Sequence, residues 1–126
     1  MSLVVGLGAR AGKPMPELAD AVGRALAEAG ADWGDVRVLA TLDRRAAEDG
    51  VRELAATHGW ELVSFVAAEL GAHDVPHKSE RIAAAVGTPS VAEAAALAAA
   101  GPGAELVLPK RVYSGVVVAV AATPAV

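Results

Sequence analysis

Residues 105–122, ELVLPKRVYSGVVVAVAA, decide what kind of sheet this chain builds. Glu105–Pro109 is largely apolar and Gly115–Ala122 is apolar and rich in valine, and both read as strands. Only KRVYS separates them. Parallel neighbours need a crossover of roughly a dozen residues, so this short link makes the final pair an antiparallel hairpin.

Upstream the pattern changes. Leu3–Ala9 reads as a buried strand that ends in a loop. From Met15 the apolar positions Leu18, Ala19, Val22, Ala25, Leu26 and Ala29 recur at helical spacing. Pro16 suits the first turn of that helix, and Gly30 sits where it should stop. Val36–Leu42 is a second strand, Ala47–His58 a helix closed by Gly59, and Glu61–Ala67 a third strand. Strand–helix alternation implies parallel strands joined by crossover helices. Added to the closing hairpin, it gives an α/β fold: a three-layer α/β/α arrangement on a mixed sheet of about five strands.

Between these parts, AELGAHDVPHK reads as a turn of helix and a loop, followed by a short helix at Ser79–Val86. TPSVAEAAALAAAG is the strongest helical signal in the chain. It has Pro89 near its start, a Ser90-x-x-Glu93 capping box and Gly101 as terminator. It carries no charge after Glu93, so most of its faces should be buried.

The 126 residues fit one domain, 1–126, with a single core. Hydrophobic residues make up 54% but aromatics only 3%, so alanine and valine carry the burial and favour closely spaced layers. The absence of cysteine excludes disulfides and thiolate metal sites. A net charge of −4 has the wrong sign for a general nucleic-acid binder. MSLVVGLGARAG lacks the basic n-region of a signal peptide, and its apolar run is too short for one. No apolar stretch reaches the roughly 18 residues of a membrane helix. The expectation is a cytoplasmic protein with neither nucleic acid nor membrane as partner.

The loop GLGARAGKPMP, residues 6–16, follows the first strand and invites a nucleotide reading. Gly6, Gly8 and Gly12 miss the G-x-G-x-x-G spacing by one residue in the last gap. Asp43 does end the second strand, as the dinucleotide pattern requires. Pro14 and Pro16, however, push the helix start past Gly12, so that glycine cannot pack helix on strand. No Gly-Lys-Ser/Thr follows, which excludes a Walker loop. A tight corner with solvated charges at Arg10 and Lys13 is the plainer reading.

Few residues offer catalysis. His73 and His77 are four apart, but Pro76 between them breaks a regular helix, and no metal site is expected. His58 suits a helix C-terminus as a charge, and Trp33 and Trp60 suit local packing. Asp43 and Glu48 are candidates for a general base or for ion-pair partners that fix Arg10. Spacing alone assembles no nucleophile–base–orienter set.

Four segments together resemble the CobE/CbiG C-terminal domain family of cobalamin (vitamin B12) biosynthesis: VVGLGARAGKP, LATLDRRAAEDG, AVGTPSVAEAAALAAAG and ELVLPKRVYSGVVVAVA. The likeness runs nearly end to end, and it is closest to the stand-alone, CobE-like form. It implies a corrin-ring intermediate, a precorrin, as ligand. In the CbiG form it implies a hydrolase that opens a δ-lactone on cobalt-precorrin-5A and releases acetaldehyde. The family loop commonly reads Gly-Cys-Arg-Lys-Gly; here it is Gly8-Ala9-Arg10-Ala11-Gly12, so no mechanism can use a thiol there. The closing segment has Val112-Tyr113-Ser114 where a further lysine and a glycine are usual.

Precorrins are flat macrocycles ringed by acetate and propionate carboxylates. Arg10 and Lys13 after the first strand, and Lys110 and Arg111 between the last two, supply cations for such a rim. Gly8 lets the backbone come close, and Tyr113 offers a ring to lie against the macrocycle. The helix start at Thr88–Ser90 adds backbone N–H groups and hydroxyls, although a capping role alone also accounts for Ser90. Three roles follow: precorrin binding, lactone hydrolysis, or docking on another cobalamin-pathway enzyme. No cofactor is implied, and the apolar last helix and strand would suit a homodimer interface or simply the core.

Overall fold

The computed structural model describes residues 2–66 and 91–123. Strand β1 (Leu3–Gly8) leads to helix α1 (Met15–Ala29), and a 3-10 turn at Trp33–Asp35 enters β2 (Val36–Leu42). Helices α2 (Asp43–Ala46) and α3 (Asp49–His58) precede β3 (Glu61–Phe65). Helix α4 (Val91–Ala100) is followed by the pair β4 (Glu105–Tyr113) and β5 (Val116–Ala122). The sheet order is β3-β2-β1-β5-β4. β1, β2 and β3 are parallel, while β5 runs against both β1 and β4. The expected mixed five-stranded sheet with its antiparallel terminal hairpin is what forms.

Alternation along β1 sends Leu3, Val5 and Leu7 to one face, where they meet Leu18, Val22 and Leu26 of α1 and Val51 and Leu54 of α3. Val4 faces the other way, where Ala40 and Ala121 pack with Ala94, Ala95, Ala96 and Ala100 of α4. Both faces of β1 are therefore covered. The small side chains do bring the layers close. A Cβ placed on Gly6 would lie 1.9 Å from the Ala92 carbonyl oxygen and 2.9 Å from the Ala96 Cβ.

Helix ends follow the glycine signals. Gly30 and Gly59 both take φ of +70°, and the following residues Ala31 and Trp60 donate back to Leu26 and Ala55. Beside them, His58 stacks on Trp33 at 4.3 Å and on Trp60 at 4.7 Å, while its Nδ1–H donates to the Leu54 carbonyl. Trp60 is buried in the core, as expected of a packing anchor, whereas Trp33 is 37% exposed and stacks over it. His58 belongs to their stack.

Several boundaries move. β1 stops at Gly8 rather than Ala9, where its pairing with Val117 of β5 ends. β3 stops at Phe65 rather than Ala67, because its partner β2 ends opposite it at Leu42. The helix expected at Ala47–His58 starts two residues later, at Asp49, and a separate short helix at Asp43–Ala46 precedes it, with Glu48 extended at φ −81°, ψ 144° between them. The largest shift concerns KRVYS. Lys110, Arg111, Val112 and Tyr113 lie inside β4, and the turn is only Ser114–Gly115, with φ of +52° and +81°. Two consecutive positive φ values make the tight reversal that suits the twist of a hairpin. β4 also slips register twice, between Leu106 and Leu108 and between Leu108 and Arg111. Extra residues at such bulges lengthen the strand without adding pairs.

The helices expected around residue 68 and at Ser79–Val86, the pair His73 and His77, and the helix start with Thr88, Pro89 and Ser90 all lie outside the described residues.

Candidate functional site

The C-terminal ends of the parallel strands form one rim of the sheet, the edge at which α/β folds build their sites. β4 runs in the same direction as β1, so its end and the Ser114–Gly115 turn share that rim. Arg111 pairs with Val118 of β5, which in turn sits opposite Leu7 of β1. Arg10 and Lys13 therefore lie at the same end of the sheet as Lys110 and Arg111. β1 and β4 stand roughly 10 Å apart across the intervening strand. Gly8 occupies the rim beside α4, where an added Cβ would come within 3.8 Å of Val91 and 3.9 Å of the Ala92 nitrogen.

The four cations are not equally available. Lys13 donates from Nζ to the Ser114 carbonyl at 3.2 Å and pairs with Glu17 at 3.2 Å. It ties the glycine loop to the hairpin turn. Arg111 is held by Glu28 of α1 at 3.4 Å and by the Lys110 carbonyl at 3.1 Å. Tyr113 donates its hydroxyl to the same Glu28 carboxylate. Among the described residues, the side chains of Arg10 and Lys110 are exposed and make no hydrogen bond or ion pair. They are the cations with capacity left for an anion.

The two acidic candidates are also committed. Asp43, the first residue of α2, accepts from the neighbouring Arg44 N–H at 2.8 Å. Glu48 accepts from the Gly12 N–H at 3.0 Å through one oxygen, and from Arg45 through the other. The cation beside Glu48 is thus Arg45 rather than Arg10. Arg45 also donates from Nε to the Ala9 carbonyl at 2.9 Å. Reading the sequence for site residues missed Arg45, because a cation in RRAAEDG gives no sign of which loop it will meet. Close behind, Gly50 of α3 admits no side chain: a Cβ there would lie 2.4 Å from the Lys13 carbonyl oxygen. Gly50→Ala is expected to cost about 2 kcal/mol, read from urea unfolding, because neither backbone can retreat. An open groove of about 690 Å³ runs between this loop and α3, lined by Lys13, Met15, Glu48 and Glu53 among others.

Glu93 is a second residue whose place the sequence did not disclose. It is 1% exposed and accepts the Lys110 backbone N–H at 3.2 Å, at the second register slip of β4. The same carboxylate that reads as half of a capping box therefore also holds the bulged edge strand. No group of three or more potential metal ligands forms among the described residues. No helix among them is long and apolar enough to cross a membrane.

Residues 3–121 match the family model described as Cobalamin synthesis G C-terminus. The chain is 37% identical over 121 residues to Protein CobE of Sinorhizobium sp, covering 94% of this chain and 79% of that protein. It is 29% identical over 122 residues to a cobalt-precorrin-5A hydrolase of Priestia megaterium, of whose length the match covers 32%. A crystal structure of CobE, from the cobalamin biosynthetic pathway, superposes with a TM-score of 0.80 at 32% identity, covering 94% of this chain and 88% of that one. The cobalamin biosynthesis protein chiG from Agrobacterium tumefaciens str. C58 gives 0.76 at 35% identity, covering 96% and 98%. With a family model matched over nearly its whole length and a relative at 37% identity, the chain belongs to the CobE/CbiG family of cobalamin biosynthesis proteins.

Proposed function

We propose that this protein binds a corrin-ring intermediate along the C-terminal rim of its sheet, with Arg10 and Lys110 engaging peripheral carboxylates. The observation that carries this is the contrast among the four cations. Lys13 and Arg111 hold the scaffold together, while Arg10 and Lys110 are exposed at the same end of the sheet with no partner among the described residues. A ring bearing several carboxylates has the breadth to meet both, and a single small anion does not. The lateral separation of roughly 10 Å between β1 and β4 suits that breadth. Thr88 and Ser90, from the family-like helix start, remain part of the proposed contact set, as does Gly8 through its backbone.

Titration with hydrogenobyrinic acid, followed in the visible spectrum, tests the reading. Arg10→Ala and Lys110→Ala are each expected to weaken binding about fivefold to tenfold, since exposed charge-assisted contacts are worth about 1 kcal/mol. The loss should shrink as salt is raised. Unchanged affinity in the double variant would remove the rim as the site.

Lactone hydrolysis is a second reading, favoured by the likeness to a protein named cobalt-precorrin-5A hydrolase. In this chain Glu48 already accepts two hydrogen bonds and Asp43 accepts from the Arg44 N–H, so both carboxylates are engaged rather than poised as a base. Acetaldehyde release from a corrin lactone would establish catalysis. Binding without turnover would establish a carrier. Retention of another cobalamin-pathway enzyme on a column of the immobilised protein would point to docking.

A further inference from the structure

We infer that Arg45 and Glu48 are positioning residues that hold the Ala9–Gly12 loop in the shape that presents Arg10. The inference rests on the corrin-acid reading and adds to it the device that makes Arg10 effective.

The geometry is a brace around one exposed cation. Arg45 donates from Nε to the Ala9 carbonyl, immediately before Arg10. Glu48 accepts from the Gly12 N–H, two residues after it. The two side chains then join each other through Arg45 Nη1 and Glu48 Oε2. Both are only about a fifth exposed, at 20% and 22%, while Arg10 is exposed. The loop backbone is thus pinned on both sides of Arg10 by a partly buried ion pair from the segment between β2 and α3. Gly12 takes φ of +83°, a conformation that glycine adopts freely and residues with a Cβ rarely do. The break between α2 and α3 serves the same end. Glu48 is extended there, which frees its carboxylate to reach across to Gly12. A single continuous helix would carry Glu48 into its own ladder.

An exposed arginine on an unrestrained loop must order both backbone and side chain when it meets a carboxylate, and that ordering opposes binding. Fixing the backbone beforehand removes part of the opposition. Guanidinium geometry is essential to the brace, because one planar fork serves the Ala9 carbonyl and the Glu48 carboxylate together. Lysine keeps the charge but offers one nitrogen in place of the separate Nε and Nη1 donors that reach the two acceptors.

The test is a double-mutant cycle on hydrogenobyrinic acid affinity using the full chain, with Arg10→Ala, Arg45→Lys and their combination. In the parent background Arg10→Ala is expected to weaken binding about tenfold; in the Arg45→Lys background it should weaken it about twofold or less, because an unbraced Arg10 contributes little. A residue that only supports the fold would leave the Arg10 effect the same in both backgrounds, and equal effects would overturn the inference. No effect of Arg10→Ala in the parent would instead overturn the corrin-acid reading itself. Should Arg45→Lys fail to fold, Glu48→Gln replaces it. Glutamine still accepts from Gly12 but cannot hold Arg45 as an ion pair, and the Arg10 effect should again fall. Here too, an undiminished Arg10 effect would overturn the inference.

Discussion

Gly6→Ala is expected to destabilise the protein by about 3 kcal/mol and to lower its melting temperature by roughly 10 °C. The methyl group would sit 1.9 Å from the Ala92 carbonyl oxygen, and the neighbours at that point are backbone or alanine. None of them can rotate away. Relief requires α4 to lift off β1, which opens the layer formed by Val4, Ala40, Ala95 and Ala121. Gly8→Ala is the matched control. It lies on the same strand and the same face, but its added methyl would meet nothing closer than 3.7 Å. Its stability should change by less than about 0.5 kcal/mol. Thermal melts of the two variants side by side separate close layering from any general sensitivity of the glycine loop.

Glu93→Ala should be nearly as damaging, at about 3 kcal/mol, while Glu93→Gln should cost less than about 1 kcal/mol. The carboxylate is buried in an alanine helix, and it accepts an amide hydrogen where β4 slips register. Alanine at that position leaves the Lys110 N–H without its acceptor and opens a void beside it. Glutamine retains an oxygen at the same reach. Urea unfolding gives the difference, and hydrogen exchange at Lys110 shows whether the edge strand opens first. Because Lys110 is one of the two available cations, loss of Glu93 should also weaken hydrogenobyrinic acid binding without removing any charge from the rim.

The layered mixed sheet was legible because it rests on strong local signals. Valine-rich runs mark the strands, glycines mark the ends of α1, α3 and α4, and a short final link demands a hairpin. Less legible was the length of β4. Lysine and arginine in KRVYS suggest a loop, yet a bulged edge strand tolerates both, and Ser114–Gly115 alone suffices to turn the chain. The candidate site divided along similar lines. That basic residues gather at one rim could be read from order and spacing. Which of them are already engaged could not, because Lys13 meets Ser114 and Arg111 meets Glu28 across separations of 101 and 83 residues. Glu48 reads from the sequence as an ion-pair candidate near the loop, but its partner Arg45 sits on a short helix before it that the sequence reading does not include.

The two slips along β4 also bear on how copies of this protein can meet. β4 is an outer strand of the sheet, and Pro109 falls within its second slip. A neighbouring molecule that tried to continue the sheet there would find the spacing of donors and acceptors interrupted and one donor missing outright. Fibre-like growth through that border is thereby discouraged.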